Sequence, residues 1–221
     1  MNDPFTNTEK REVSGVNTLV FKGMGRVDLV QGDHEELEIE AQPEIRSRIR
    51  TLVEGKTLTI DYDEDWKDWT GIRALSGDKI RFHLTMREIA GLSIAGVGSL
   101  DCPKVETESL DLSISGPGLL TIGTVEAKRL SITLSGVGSM DLAGRVDELN
   151  AALSGAGSFK APRLEATIAN VRLSGVGSAT VWAKEVLNAT ISGAGVIEYY
   201  GNPKIAQSNT GLGVLKFMGN R

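Results

Sequence analysis

Few residues in this 221-residue chain are of the types that perform catalysis: it has two histidines and one cysteine. A single thiol forbids an internal disulfide and a multi-thiolate metal site, and two imidazoles leave little for metal ligation or proton transfer. His34 sits in the acidic turn QGDHEE. His83 alternates with Phe82 and Leu84 in KIRFHL, which should point it away from a core. Neither lies beside a recognisable nucleophile motif, and a Ser-His-Asp set needs its base held against the serine. Cys102 occupies the same place in a repeat as Ile122, Leu142 and Val181 and reads as a buried structural thiol. No catalytic residue, metal ligand or cofactor site is expected. The recurring GVGS is neither a dinucleotide fingerprint nor a P-loop, because no helix follows it and no GKS or GKT is present. A calcium-binding β-roll would need carboxylates within GGxGxD at a period of about nine.

Residues suited to binding are easier to find. Trp66 and Trp69 stand with Asp63, Glu64, Asp65 and Asp68 in the tract DEDWKDWTGIRALSGD, residues 63–78, which reads as a long loop. Exposed aromatics of this kind contact sugars or protein partners; alternatively the rings pin the loop onto the body. At the other end, LGVLKFMGNR supplies Phe217 and Met218, with no amphipathic cap after them. These two are expected to help cover the last strands by self-association or by a partner. Twenty-four Lys and Arg against 29 Asp and Glu give a net charge of −5 without a basic block, so a nucleic-acid partner is not expected. No apolar run reaches the length of a signal-peptide core or a transmembrane segment.

Such residues must be carried by the repeats that dominate the chain. Of its 26 glycines, 7 fall in residues 1–90 and 19 after them. IAGVGSL begins at Ile94, ISGPGLL at Ile114, LSGVGSM at Leu134, LSGAGSF at Leu153, LSGVGSA at Leu173 and ISGAGVI at Ile191, with a weaker NTGLGVL at Asn209. The leading glycines are 18 to 20 residues apart. Before each motif apolar residues alternate, as in Leu130, Ile132 and Leu134; after it they alternate again, as in Met140 and Leu142. Period two means strand, so each repeat holds at least two short strands flanking a glycine corner. No repeat contains a stretch with helical periodicity, and equal-length coils of strand stack in register as a parallel β-solenoid. The fold class is therefore all-β, about seven coils of 18–20 residues making a rod about 34 Å long at the usual strand spacing. The corner glycines are expected to provide a positive φ or to avoid a Cβ clash. The residue between them (Val97, Pro117, Val137, Ala156, Val176, Ala194 or Leu212) is apolar and is expected to pack inward.

Residues 1–90 read as an irregular β-rich part continuous with the solenoid, and residues 91–221 as the regular β-helix. MGRVDLVQGD (24–33), ELEIEA (36–41), RIRTLVEGKTLTIDY (48–62) and KIRFHL (79–84) are the strand-like segments of the first part. The outer positions of the strand before each motif, Asp111, Ser131, Asn150, Asn170 and Asn188, are small and polar and form a flat face that suits another surface.

The VDLVQGD and TLTIDY segments, the serial SGxGS motifs and the closing ISGAGVIEYYGNP together resemble a bacterial family of unknown function, the putative auto-transporter adhesin, head GIN domain. The resemblance implies a right-handed β-helix and an exported location: periplasm, outer membrane or cell surface. It supplies no catalytic residues. Where many members of that family place Asp after the second glycine, this chain has Ser99, Ser139, Ser158 and Ser178. The expected function is a non-catalytic cell-envelope scaffold or adhesion module that meets a protein or glycan surface. The alternative is a carbohydrate-active β-helix enzyme, a polysaccharide lyase or hydrolase, which would need carboxylates converging on one face.

Overall fold

The computed structural model describes residues 8–63 and 80–221. Strands make up 74% of it and helix 2%, arranged as a β-solenoid of about six turns. Five long strands form its regular part: β9 (Val97–Ile114), β10 (Gly118–Leu134), β11 (Val137–Leu153), β12 (Ala156–Leu173) and β13 (Val176–Ile191). Each bends to build successive faces of one coil, and each pairs in parallel with the equivalent strand of the next. The first face follows the glycine corner, the third precedes the next corner, and a middle face joins them.

The alternation dictates the core. Leu110, Leu130, Leu149, Ala169 and Leu187 stack in one buried column, and Ile114, Leu134, Leu153, Leu173 and Ile191 in another. Side chains within a column offset one another in volume: Phe159 lies between Met140 and Ala179. A close-packed interior of this kind leaves no room to add atoms at one coil without removing them at its neighbour. β14 (Ala194–Tyr200), β15 (Lys204–Asn209) and β16 (Val214–Phe217) complete the stack with short strands. The solenoid has about six turns, against the expected seven.

The corners work by contact, and not by φ. At each corner one carbonyl of the coil before accepts two successive N–H groups: Leu134 O receives Ser154 N at 2.9 Å and Gly155 N at 3.1 Å. The same pair of bonds converges on Ile114, Leu153, Leu173 and Ile191. This draws one corner down onto the last, so that a Cβ on Gly136 would lie 2.5 Å from the Ser115 carbonyl oxygen and closer still to that of Gly116. Gly136 is not among the positive-φ glycines, which corrects half of the expectation. The residue between the glycines is also misplaced by the sequence reading. Val137 is 63% exposed, Val176 64% and Leu212 91%. They point outward because the inner positions are filled by residues on either side, such as Leu134 and Met140.

The first ninety residues contain two coils that the sequence conceals. β2 (Thr18–Phe21) and β3 (Met24–Gln31) form one, which stacks in parallel on β8 (Gly91–Ile94) and β9. Gly25 is in register with Gly98, so KGMGR at 22–26 is an unrecognised copy of the corner, and Phe21 O accepts Ala95 N and Gly96 N as at the other corners. β6 (Thr57–Tyr62) and β7 (Arg81–Met86) flank this coil on its other side. Beyond them the strand direction reverses: β4 (Glu36–Glu40) is antiparallel to β7, β5 (Ile49–Glu54) to β6, and β1 (Thr8–Arg11) to β4. A single helical turn, α1 (Pro43–Arg46), adds the fully buried Ile45. These elements cap the N-terminal end of the core.

Replacing Gly136 with Ala should lower stability by about 2 kcal/mol or more, because the displaced group is backbone and cannot move aside. Exposed Val137→Ser should change it by less than about 0.5 kcal/mol, whereas Leu134→Ala should cost about 2–5 kcal/mol. Denaturant unfolding of the three variants measures the ranking, and equal costs at 136 and 137 would defeat the corner argument.

Candidate functional site

Each outer face of the solenoid is a set of columns in which equivalent side chains sit one strand spacing apart, about 4.8 Å. On the first face a column runs through Glu38, His83, Asp28, Asp101, Thr121, Asp141 and Lys160. His83 points outward, as its alternation requires, with Nδ1 at 3.8 Å from Asp28 Oδ2 and Nε2 at 3.5 Å from Glu40 Oε2. Arg26 holds Asp28 at 2.7 Å and Asp101 at 3.3 Å. Among the described residues no three acidic, His or Cys side chains are grouped to hold a metal. The arrangement is a half-exposed ion-pair ladder on an open face.

The third face carries the small polar columns. Asn188 Nδ2 donates to Asn170 Oδ1 at 2.7 Å, Asn170 Nδ2 to Asn150 Oδ1 at 2.9 Å, and Asn150 Nδ2 to Glu148 Oε1 at 3.0 Å. Asn170 Nδ2 also reaches Glu148 Oε1 at 3.4 Å, whereas the ladder consumes one donor on Asn150 and one on Asn188 and leaves the second N–H of each held in a fixed direction. Between Asn170 and the neighbouring Thr133 and Arg172 lies a shallow open groove of about 460 Å³.

The middle face is where the coils differ in length. The shifts of register fall where paired strands cross this face, at Ile122/Val125, Asp141/Ala143, Lys160/Glu165 and Ala166/Ile168. Lys160 pairs with Thr180, 20 positions on, while Glu165 pairs with Trp182, 17 on, so β13 omits three positions there. One outer column consequently reads Glu126, Arg145, Glu165, Trp182, Tyr200. Sequence reasoning passed over Trp182, although its place between Val181 and Ala183 predicts an outward ring.

The four residues singled out for binding divide by location. Trp66 and Trp69 lie outside the described residues. Phe217 ends the last strand and Met218 follows it, 52% and 36% exposed, with the Phe217 ring 5.4 Å from that of Tyr199. Every residue of β15 beside them is exposed. Cys102 is buried as expected; its Sγ lies 3.3 Å from Lys104 O as donor, and burial pushes the thiol pKa up to about 11.

A stacked-coil β-solenoid with ladder-built faces and an antiparallel N-terminal cap defines the class of fold. The chain belongs to the family described as putative auto-transporter adhesin, head GIN domain, whose model matches residues 16–203. Among solved structures, one described as a putative adhesin from Bacteroides fragilis is 25% identical, covers 97% of this chain and 99% of its own, and has a TM-score of 0.89. A putative lipid-binding protein from Parabacteroides distasonis is 24% identical with a TM-score of 0.72, each chain covered to 96%. A putative adhesin from Parabacteroides merdae is 19% identical, with a TM-score of 0.73 over 96% of this chain and 95% of its own. No curated protein matches the chain.

The raised thiol gives a direct check on this packing. At pH 8 the native protein should react with Ellman's reagent about a hundredfold more slowly than the urea-unfolded chain, through its smaller thiolate fraction. Equal rates would place Cys102 at the surface.

Proposed function

We propose that the chain is a non-catalytic adhesion module of the cell envelope, with the third face as its working surface. The observation that carries this reading is the asparagine ladder: Asn150, Asn170 and Asn188 are fixed by one another, so their free polar groups meet a partner without further ordering. Membership of an adhesin family and the likeness to the Bacteroides fragilis protein support it. The same reading places the protein outside the cytoplasm, and fractionation of a cell expressing the epitope-tagged natural gene should recover it with the envelope.

Beads coated with the protein should adhere to bacterial or host cell surfaces. Asn170→Arg, which fills the groove and breaks the ladder, should reduce retention about tenfold with little change in thermal melting. Retention no better than that of beads carrying an unrelated β-helix would sink the adhesion reading.

The open C-terminal end is proposed as a surface for a second copy of this chain. The N-terminal edges are guarded by charge, with Glu9, Lys10 and Arg11 on β1 and Arg50 and Glu54 on β5. Residues 205–209 of β15 carry none, and unguarded edges pair with other strands. A twofold tail-to-tail arrangement closes at two copies, because the capped end offers no matching edge. Light scattering at high protein concentration should show a dimer that Phe217→Ser with Met218→Ser returns to monomer. A wild-type monomer would refute it.

A further inference from the structure

The half-buried Trp182 and the charged side chains around it lie away from both the ion-pair ladder and the asparagine ladder. They line an open groove of about 650 Å³ on the middle face, which Lys128, Asp147, Arg145 and Glu165 share with the ring. The groove exists because side chains are missing there. Gly144, at φ +124°, and Ala127 leave its floor bare, and a Cβ on Gly144 would run into the Val125 backbone.

We propose that this groove is a subsite for a neutral glycan, with the Trp182 indole as the platform for one pyranose ring. The three positions omitted from β13 bring Trp182 directly opposite Glu165, placing an apolar plane beside a carboxylate and a guanidinium. A sugar needs that combination: its C–H face stacks on an aromatic plane while its hydroxyls donate to carboxylates and accept from N–H groups. The polar partners are already held. Arg145 Nε lies 3.2 Å and Lys184 Nζ 3.6 Å from the same oxygen, Oε1, of Glu165. Glu165 therefore keeps Oε2 to accept from a hydroxyl, and its side chain, 15% exposed, is the most buried carboxylate of the ion pairs among the described residues.

Charge selects the class of sugar. Glu126, Asp147 and Glu165 face Lys128 and Arg145 in the groove, with Lys184 on Glu165 as the third cation. The two signs balance, and nothing favours a sulfated or sialylated chain over an uncharged one. The next aromatic in the column, Tyr200, is covered by the Arg221 guanidinium 4.2 Å from its ring centre, so one ring is seated and the chain continues past Arg145. An open groove admits the interior of a polysaccharide as well as its end. The subsite lies on a different face from the asparagine ladder and does not rest on the adhesion reading.

The test is calorimetric titration of the full chain with cellohexaose, xylohexaose, mannohexaose, maltohexaose and chitohexaose, and with a heparin-derived hexasaccharide as the anionic arm. At least one neutral hexasaccharide should bind saturably. Trp182→Ala should weaken it about tenfold or more and Trp182→Phe about threefold or less, since stacking survives a smaller ring. Asn170→Arg should leave it unchanged. A readout on the wild-type protein covers the case in which Trp182→Ala fails to fold: the indole N–H resonance lost in Trp182→Phe should move on titration. No saturable binding across the neutral panel, binding undiminished in Trp182→Ala, a static indole resonance, or equal affinity for the anionic chain would each overturn the proposal.

Discussion

One carbonyl oxygen accepting two successive N–H groups from the corner above it sets the spacing of this molecule. Because the bonds at Leu134, Leu153 and Leu173 are the same bond repeated, each corner settles onto the last at backbone contact distance. That distance excludes a Cβ at Gly136 or Gly155, and it brings the strands between corners into parallel register with every side chain above its equivalent. The core columns and the outer ladders both follow from it. Even the exposed apolar residue of each corner finds a role here: Val137, Ala156, Val176 and Ala194 stand above one another and shield each other, though not from water entirely.

Regularity on the first and third faces forces variation onto the middle one. The first and third faces keep register across the coils, so differences of one to three residues between repeats are taken up where the chain crosses the middle face. Irregularities in a ladder re-aim side chains and leave hollows, and they occur beside functional sites more often than elsewhere. The glycine, the alanine and the tryptophan that shape the middle groove all sit in this tolerant stretch. A ladder of identical residues gives a flat face; a shift in the ladder gives a place.

Strand, period and stacking direction were legible in residues 91–217 because two periodicities coincide there, two for the strand and about twenty for the coil. The copy at residues 22–26 was not legible. It lacks the serine, and between it and Gly91 the chain builds the antiparallel cap and the flanking strands β6 and β7, so no constant interval points to it. The apolar character of Val137 suggests burial, whereas lateral shielding within a column accounts for it at 63% exposure. Phe217, at the end of β16, is half exposed beside Tyr199. Trp182 could have been found from parity alone, but its neighbours in space, Arg145 and Glu165, depend on a three-residue offset that no single repeat reveals.

The order in which coils are stacked does not follow the order in which they are synthesised. The coil of residues 18–31 lies between the strands β6 and β7 and the coil beginning at 91, so it has no lid until the chain has passed it by some fifty residues and turned back. Emerging from a ribosome, Phe21 and Val27 would meet solvent on both sides, with neither neighbour yet made. Growth of this rod therefore begins from a sandwich closed late and from both directions, and only past Gly91 does it become simple winding. A cut after residue 31 would remove an inner layer of the stack and leave the outermost one with nothing beneath it.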